Sequence, residues 1–261
     1  MNIKPTILLV DDNEEILSFL EEELQDQYLL LKAENGGRGL ELLKHESVQL
    51  IVCDIIMPEM NGYEFCKIIK TELEFSHIPI ILLTAKNTMQ SKIKGLELGA
   101  DAYIEKPFSP AHLQAQISNL LSNRNKIKDY FASSPLVHIR SMAYSKADET
   151  FLELLNEVID KNMFNTELDS EMIARLMTMS RATLYRKIKA ISNLTPNELI
   201  HITRLKKAAE LLASGSHKIY QIIEIVGYNS QSSFTRGFIK QFALTPTEYV
   251  NQKETEKKLA R

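Results

Sequence analysis

Tryptophan is absent and cysteine is scarce in this chain of 261 residues. The two cysteines, Cys53 inside an apolar run and Cys66 in a predicted helix, are too few for a disulfide framework and lack metal-site spacing. No apolar run approaches the roughly 18 residues needed to span a bilayer, and no basic segment leads into an apolar stretch at the amino end. We therefore expect a soluble, cytoplasmic protein without membrane contact.

The two halves of the chain carry net charges of opposite sign. Residues 1–125 contain 11 of the 31 Lys/Arg and 19 of the 34 Asp/Glu, a net charge of −8. Residues 126–261 therefore carry a net charge of +5. The second half could bind a polyanion such as nucleic acid and the first half could not, although a modest positive charge also suits a solvated helical surface.

In the first half, short apolar runs alternate with amphipathic segments, which predicts an α/β fold with a doubly wound, parallel, five-stranded sheet. The predicted strands are Thr6–Val10, Tyr28–Ala33, Val48–Cys53, Ile78–Leu83 and Ala102–Ile104. The predicted helices are Glu14–Leu24, Gly39–Lys44, Tyr63–Glu72, Gln90–Leu98 and a segment from Pro110 onward.

Strand patterns stop after about residue 121, and the rest of the chain predicts an all-α domain. We place the first domain at 5–121, a helical extension and linker at 122–148, and the second domain at 149–252. The predicted helices of the second domain are Glu149–Lys161, Glu171–Met177, Arg181–Ile191, Pro196–Ala213, Ile219–Val226, Gln231–Phe242 and Pro246–Gln252.

The second domain contains an internal repeat with an offset of 50 residues. Ser180, Arg186, Leu194, Thr195, Pro196 and Glu198 match Ser230, Arg236, Leu244, Thr245, Pro246 and Glu248. In both copies Thr-Pro-x-Glu has the pattern of a capping box that begins a helix. The repeat therefore predicts that one helical unit occurs twice.

Chemically distinctive residues follow four of the predicted strands: Asp11 and Asp12, Asp54, Thr84, and Lys106. The carboxyl ends of parallel strands converge, and ligands bind there in open sheets. Three ionised carboxylates with one lysine leave a charge of about −2, which calls for a divalent cation. Oxygen ligands and open positions for phosphate favour Mg²⁺.

This set of residues suits phosphoryl transfer to a carboxylate. Asp54 can attack phosphorus and form an aspartyl phosphate, while Lys106 and the Thr84 hydroxyl contact the phosphoryl oxygens. A haloacid-dehalogenase type of phosphatase would need a second acid two residues after its nucleophile, where this chain has Ile56. Turnover of an external phosphate ester is therefore not expected.

Each of these residues taken alone has a simpler interpretation. Asp11 and Asp12 could cap the first helix, Thr84 could be a turn residue, and Lys106 could be a solvated charge. Their occurrence together favours the phosphoryl site.

The two repeats each predict a helix-turn-helix, in which the second helix enters the DNA major groove. Apolar residues at helical spacing should pack inward on these helices: Leu184, Ile188 and Ile191, and Phe234, Phe238 and Phe242. The residues left to contact bases and phosphates are Arg181, Thr183, Tyr185 and Arg186, and Gln231, Ser232, Ser233 and Arg236. The alternative is a helical module that binds protein.

Residues 5–120 resemble the receiver domain of two-component response regulators. The residues that carry the resemblance are Asp11-Asp12, Asp54, Met57-Pro58-x-Met60-Asn61-Gly62, Thr84-Ala85, Tyr103 and Lys106-Pro107. The resemblance implies a flavodoxin-like sheet of order 2-1-3-4-5, a metal site completed by the Ile56 carbonyl, and a cis Lys106-Pro107 bond. It also implies a switch in which Tyr103 turns inward as Thr84 shifts toward the phosphoryl group.

Residues from about Thr150 to Asn251 resemble the AraC-type DNA-binding domain, with two helix-turn-helix units. The residues that carry this resemblance are 179–187, Arg204-Leu205-Lys206-Lys207-Ala208, Val226-Gly227-Tyr228-Asn229-Ser230 and Phe242-x-Leu244-Thr245-Pro246. Thr178 departs from the glycine common at the first turn. The pair of domains also resembles the carboxyl-terminal end of hybrid two-component sensors, so the chain is either a free regulator or a fragment.

Together these features predict a transcription regulator that a histidine kinase, separate or in the same chain, phosphorylates on Asp54. The expected partners are DNA, RNA polymerase and a second copy of the phosphorylated chain. The only chemistry expected is phosphorylation and dephosphorylation of the chain itself. The alternative is a phosphorelay intermediate or an aspartyl-phosphate enzyme whose helical domain binds protein.

Overall fold

A computed structural model describes residues 4–85, 97–133, 143 and 145–259. Most of the predicted helix Gln90–Leu98 lies outside these residues. The described parts of the chain form two compact units, one within Met1–Lys128 and Ala143–Glu149, the other within Asp129–Met142 and Thr150–Arg261. None of the described helices is both long and apolar enough to cross a membrane.

The first unit contains a five-stranded parallel sheet of order β2-β1-β3-β4-β5, as predicted. The strands are β1 Thr6–Val10, β2 Leu29–Ala33, β3 Leu50–Asp54, β4 Ile80–Thr84 and β5 Ala102–Glu105. Strands β3 and β4 are buried at every position, which is why their sequences are continuous apolar runs rather than alternating ones. Asp54 and Thr84 are the last residues of their strands, which lie slightly later than predicted.

Helices cover both faces of this sheet, and two separate apolar clusters fill the space beneath them. The helices in this part of the chain are α1 Glu14–Leu24, α2 Gly36–His45, α3 Gly62–Thr71 and α4 Pro110–Ser133, the last of which ends beyond the first unit. The cap of α1 is Asn13, whose side chain accepts hydrogen bonds from the N–H groups of Glu15 and Ile16. Asp11 and Asp12 therefore do not serve as the helix cap.

The residues just before the second domain, Ala143–Glu149, belong to the first unit. Helix α5 spans Lys146–Asn162 and so starts before the predicted Glu149. Asp148 in its first turn is fully buried and accepts a hydrogen bond of 2.7 Å from the Ser76 hydroxyl. The last part of the predicted linker is therefore helical and packed.

The second unit is helical, and its repeat is visible in the helix caps. The helices that follow are α6 Ser170–Leu176, α7 Arg181–Ser192, α8 Pro196–Ser214, α9 Ile219–Ile225, α10 Gln231–Phe242 and α11 Pro246–Leu259. Ser180 and Ser230 cap α7 and α10 through the same hydrogen bond to the third helical N–H group. Thr195 caps α8 with the predicted capping box, and Thr245 makes the same reciprocal bonds with Glu248.

Equivalent turns in the two repeats also share a left-handed backbone. Thr178, between α6 and α7, has φ of 57°, and Gly227, between α9 and α10, has φ of 70°. The departure from glycine at Thr178 therefore leaves the turn conformation unchanged. A β-branched residue is strained in this region of φ, at a cost of roughly 1–2 kcal/mol.

Gly227 is also required by close packing. A Cβ atom there would lie 2.1 Å from the carbonyl oxygen of Met163. Beside this contact, the guanidinium of Arg204 on α8 donates a hydrogen bond of 2.6 Å to the carbonyl of Asn165. The second turn is thus held against the loop that precedes the first helix-turn-helix.

We expect Gly227→Ala to lower the free energy of unfolding by about 3–5 kcal/mol, because it adds a backbone clash to left-handed strain. Gly215 is the matched control, since its φ is also 70° and a Cβ atom there would meet nothing within 4 Å. Gly215→Ala should cost only about 1–2 kcal/mol. Urea denaturation followed by circular dichroism measures both, and equal costs would contradict the close packing at Gly227.

Candidate functional site

The carboxyl edge of the sheet brings together the predicted polar residues. Asp11 follows β1, Asp54 ends β3, Thr84 ends β4 and Lys106 follows β5. The Lys106 N–H donates a backbone hydrogen bond of 2.7 Å to the Thr84 carbonyl. The Lys106–Pro107 bond is cis, as the resemblance implied.

Lys106 joins the two buried carboxylates of this edge. Its Nζ lies 2.9 Å from Asp11 Oδ2 and 2.6 Å from Asp54 Oδ1. The side chains of Asp11 and Asp54 are 2% and 8% exposed. One ammonium group therefore compensates two carboxylates that have little contact with water.

Backbone N–H groups hold the remaining oxygen atoms of both carboxylates. Asp11 Oδ1 accepts from the N–H of Asn13 at 2.9 Å, and Asp54 Oδ2 accepts from the N–H of Ile56 at 2.7 Å. The turns after β1 and β3 thus fix the orientation of each carboxylate.

Burial and pairing act against each other at this site. Burial raises the pKa of Asp54 above its ordinary value, and the lysine opposes this only in part. Burial also disfavours the charged form of Lys106, but its hydrogen bonds to Asp54 and Asp11 outweigh burial and raise the pKa of Lys106. The lysine therefore stays charged, while the Asp54 carboxylate is held in an environment that disfavours its own charge.

Asp12 does not join this buried pair. It is exposed, and no group of three His, Cys, Asp or Glu side chains suited to a metal ion occurs in the part of the chain that the structure describes. The predicted cluster of three carboxylates is thus two carboxylates around a lysine. The oxygen ligands available at Asp11 and Asp54 nevertheless fit a hard cation such as Mg²⁺.

The two predicted switch residues, Thr84 and Tyr103, are in contact with each other. The Tyr103 side chain hydrogen-bonds to Thr84, and its hydroxyl lies 2.8 Å from the Tyr63 hydroxyl. Burial is the main reason that the pKa of Tyr103 rises to about 12. Tyr103 is half-buried against one core cluster, so it combines core packing with a polar connection to Thr84 at the end of β4.

Sequence reasoning missed two residues that shape this site. Tyr63, at the start of α3, is the second partner of Tyr103, and no local pattern indicated it. Gly62 lies so close to β3 that a Cβ atom would be 2.2 Å from the Asp54 carbonyl oxygen. Its place in the Met-Pro-x-Met-Asn-Gly motif was the available signal for this close approach.

The helices α7 and α10, the recognition helices of the two repeats, pack inward through the predicted apolar residues. Leu184, Ile188, Ile191, Phe234 and Phe238 are buried, and Phe242 is half-buried. Lys187 is also fully buried, with its Nζ 5.5 Å from the Phe151 ring centroid. Lys187 is therefore part of the core and not of the predicted DNA-contacting face.

Most of the predicted DNA-contacting residues lie on the outer faces of these helices. Arg181, Tyr185, Gln231, Ser232, Ser233 and Arg236 are exposed, whereas Thr183 and Arg186 are half-buried. On α10, an open cleft of about 450 Å³ is lined by Gln231, Ser232, Thr235, Arg236 and Ile239. Thr235 and Ile239 were not among the predicted residues.

Two stretches of the chain match known families. Residues 7–118 match the response regulator receiver domain, and residues 173–252 match a helix-turn-helix domain. The chain therefore contains a response regulator receiver domain and, after it, a helix-turn-helix domain. This confirms the two resemblances found in the sequence.

Relatives of the chain include a kinase and a regulator. Histidine kinase P4 of Formosa agariphila is 39% identical over 249 residues, 95% of this chain and 18% of the kinase. The probable transcriptional regulator ycf27 of Porphyra purpurea is 41% identical over 127 residues, 48% of this chain and 51% of that protein. The chain therefore spans about half of one relative and less than a fifth of the other.

A solved structure also aligns with the chain. It is the signal receiver domain of a signal transduction histidine kinase from Syntrophus aciditrophicus, 32% identical, with a TM-score of 0.44. The alignment covers 46% of this chain and 91% of that one.

We expect Asp54→Asn to be more stable than the parent chain at neutral pH in magnesium-free buffer. The folded-state pKa of Asp54 is raised, so between its ordinary value and the raised value the folded chain binds more protons than the unfolded chain. The stability of the parent therefore falls as pH rises through this window. The advantage of Asp54→Asn should shrink as pH is lowered below it.

Thermal unfolding from acid to neutral pH measures this difference. Asp12→Asn is the control, because its exposed carboxylate should give no comparable gain. If Asp54→Asn were instead less stable than the parent at neutral pH, the ion pair with Lys106 would outweigh the cost of burying Asp54.

Proposed function

We propose that the chain is a phosphorylation-controlled, sequence-specific DNA-binding transcription regulator of a two-component system. The observation that carries this is the buried Asp11–Lys106–Asp54 arrangement in a receiver domain that is followed by two exposed recognition faces. The names of the two relatives, a histidine kinase and a transcriptional regulator, support the same pairing of functions.

In this proposal Asp54 accepts the phosphoryl group. A carboxylate oxygen of Asp54 bonds to phosphorus, the bond from phosphorus to the kinase histidine breaks, and the imidazole that leaves takes a proton. Lys106 then transfers its ion pair from the Asp54 carboxylate to a phosphoryl oxygen, and the Thr84 hydroxyl donates to another. The contact between Thr84 and Tyr103 would carry this change to Tyr103, the switch residue.

We propose that Asp11, Asp12, Asp54 and the Ile56 carbonyl hold Mg²⁺ during this reaction. The cation would neutralise charge between the attacking carboxylate and the phosphoryl oxygens. Asp12 is exposed and would supply a carboxylate oxygen, whereas Asp11 would serve both the cation and Lys106. The Ile56 N–H already fixes the orientation of the Asp54 carboxylate.

The remaining assignments belong to the same proposal. The receiver domain spans 5–121, a helical extension and linker 122–148, and the DNA-binding domain 149–252. Phosphorylation would pair two receivers, which raises the effective concentration of the tethered DNA-binding domains without new base contacts. The pair would bind DNA in the cytoplasm and act on RNA polymerase there. The chain would turn over no external substrate.

We expect a small phosphodonor such as acetyl phosphate, with Mg²⁺, to add one phosphoryl group to the chain. Intact-mass spectrometry measures the gain. Neither Asp54→Asn nor a sample treated with EDTA should show it, because the first lacks the nucleophile and the second lacks the cation.

The same samples test receiver pairing. Sedimentation of the chain with and without beryllofluoride should show an increase in mass that Asp54→Asn lacks. Phosphorylation of the Asp54→Asn chain would refute the site. Phosphorylation of the parent chain without any increase in its sedimenting mass would refute only the pairing.

We expect Arg236→Ala and Arg186→Ala each to weaken binding to a DNA sequence selected from a random pool by about 1–3 kcal/mol. Arginine side chains on recognition helices contact guanine edges through two hydrogen bonds. Fluorescence anisotropy on the selected sequence and on a scrambled duplex of the same composition separates specific from general binding.

Lys207→Ala is the matched control, because it also removes one positive charge but lies on α8, 3.3 Å from Glu210. It should change binding to both duplexes by less than the arginine variants change specific binding. Arg186 is half-buried, so thermal unfolding of that variant is compared with the parent. Equal losses on both duplexes would make the arginines phosphate contacts, and a pool without any enriched sequence would favour a protein-binding role.

A further inference from the structure

The two recognition helices differ along one line of side chains. Residues four apart lie on the same face of a helix, so Arg181, Tyr185 and Lys189 form one line on α7. The offset of 50 residues places Gln231, Thr235 and Ile239 at the equivalent positions on α10. The first line is cationic and aromatic, and the second is neutral and ends in an aliphatic residue.

Ile239 is accessible on the face that is otherwise polar. Its exposed fraction is 42%, and it lines the open cleft of α10 together with Gln231, Thr235 and Arg236. Single exposed aliphatic residues are common on proteins. Ile239 differs from them because it shares a cleft with the side chains placed for base contact.

At the equivalent place on α7 the structure has a different group. Lys189 is exposed, and its ammonium donates a hydrogen bond to the carbonyl of Asn193, at the end of its own helix. A cation at this position suits a phosphate or guanine, whereas an aliphatic side chain suits neither.

Only one base presents an apolar group in the major groove. Thymine carries a 5-methyl group there, and the other base edges carry hydrogen-bond donors and acceptors. Apolar side chains and the methyl group of threonine contact this group, while glutamine binds adenine through two hydrogen bonds. The side chains of Gln231, Thr235 and Ile239 are therefore suited to contact A·T base pairs.

We propose that Ile239, supported by Thr235, forms a subsite for a thymine 5-methyl group in the half-site contacted by α10. The proposal rests on the proposed DNA-binding function and adds the base that this helix selects. The half-site contacted by α7 has no equivalent subsite, so the two half-sites of the operator differ in sequence.

The test replaces each thymine of the selected duplex, one at a time, by deoxyuridine, which lacks only the methyl group. At one position, binding of the full chain should weaken about 4-fold, the effect of removing one buried methyl group. Ile239→Ala should weaken binding to the thymine duplex by a similar factor. On the uracil duplex at that position, Ile239→Ala should show no further loss.

Lys189→Ala is the control at the matched position of the first helix, and it should keep the full sensitivity to uracil. Ile239 is exposed, so thermal unfolding of Ile239→Ala should match the parent chain. If no duplex is enriched from the pool, the DNA-binding function itself fails. If a duplex is enriched but no thymine matters, or Ile239→Ala keeps the sensitivity to uracil, the subsite is refuted while DNA binding stands.

Discussion

The arrangement of the receiver site depends on the ion pairs between Lys106 and the buried carboxylates of Asp11 and Asp54. Two carboxylates with so little exposure are costly without the shared cation, because a buried charge left without its partner costs roughly 3–5 kcal/mol. The same ammonium connects the ends of β1, β3 and β5. Since burial also raises the pKa of Asp54, the site that would receive a phosphoryl group disfavours the free carboxylate. A change in the charge of Asp54 therefore alters the ion pairs that connect the ends of these three strands.

The second unit uses one backbone frame for two different surfaces. Both repeats have serine caps, left-handed turns and inward apolar residues at equivalent positions. Rings at Phe234, Phe238 and Tyr249 pack with neighbouring aromatic rings at centroid distances of 4.5–5.6 Å. Exposed side chains are free of these packing requirements, so the outer faces of α7 and α10 differ while the caps and turns stay alike.

The two left-handed turns differ in backbone strain. At Gly227 the left-handed conformation causes no strain, because glycine has no Cβ atom. The absence of a Cβ atom also lets the carbonyl of Met163 pack closely against this turn. At Thr178 the same conformation is adopted by a β-branched residue. Arg204 places its buried guanidinium beside Gly227 and bonds to the loop at Asn165. The two turns therefore share a left-handed backbone, but the strain energy is higher at Thr178 than at Gly227.

The sequence by itself determined the element order, the parallel sheet, the repeat and the two capping boxes, because hydrophobic period and cap chemistry are local properties. It also determined which strand ends carry Asp11, Asp54, Thr84 and Lys106. Only the tertiary structure decided that Lys106 pairs with both buried carboxylates while Asp12 stays exposed. It likewise decided that Tyr63 meets Tyr103, that Lys187 is buried, and that Ile239 lines a cleft. These outcomes depend on distances between residues far apart in the chain, and no local pattern encodes such distances.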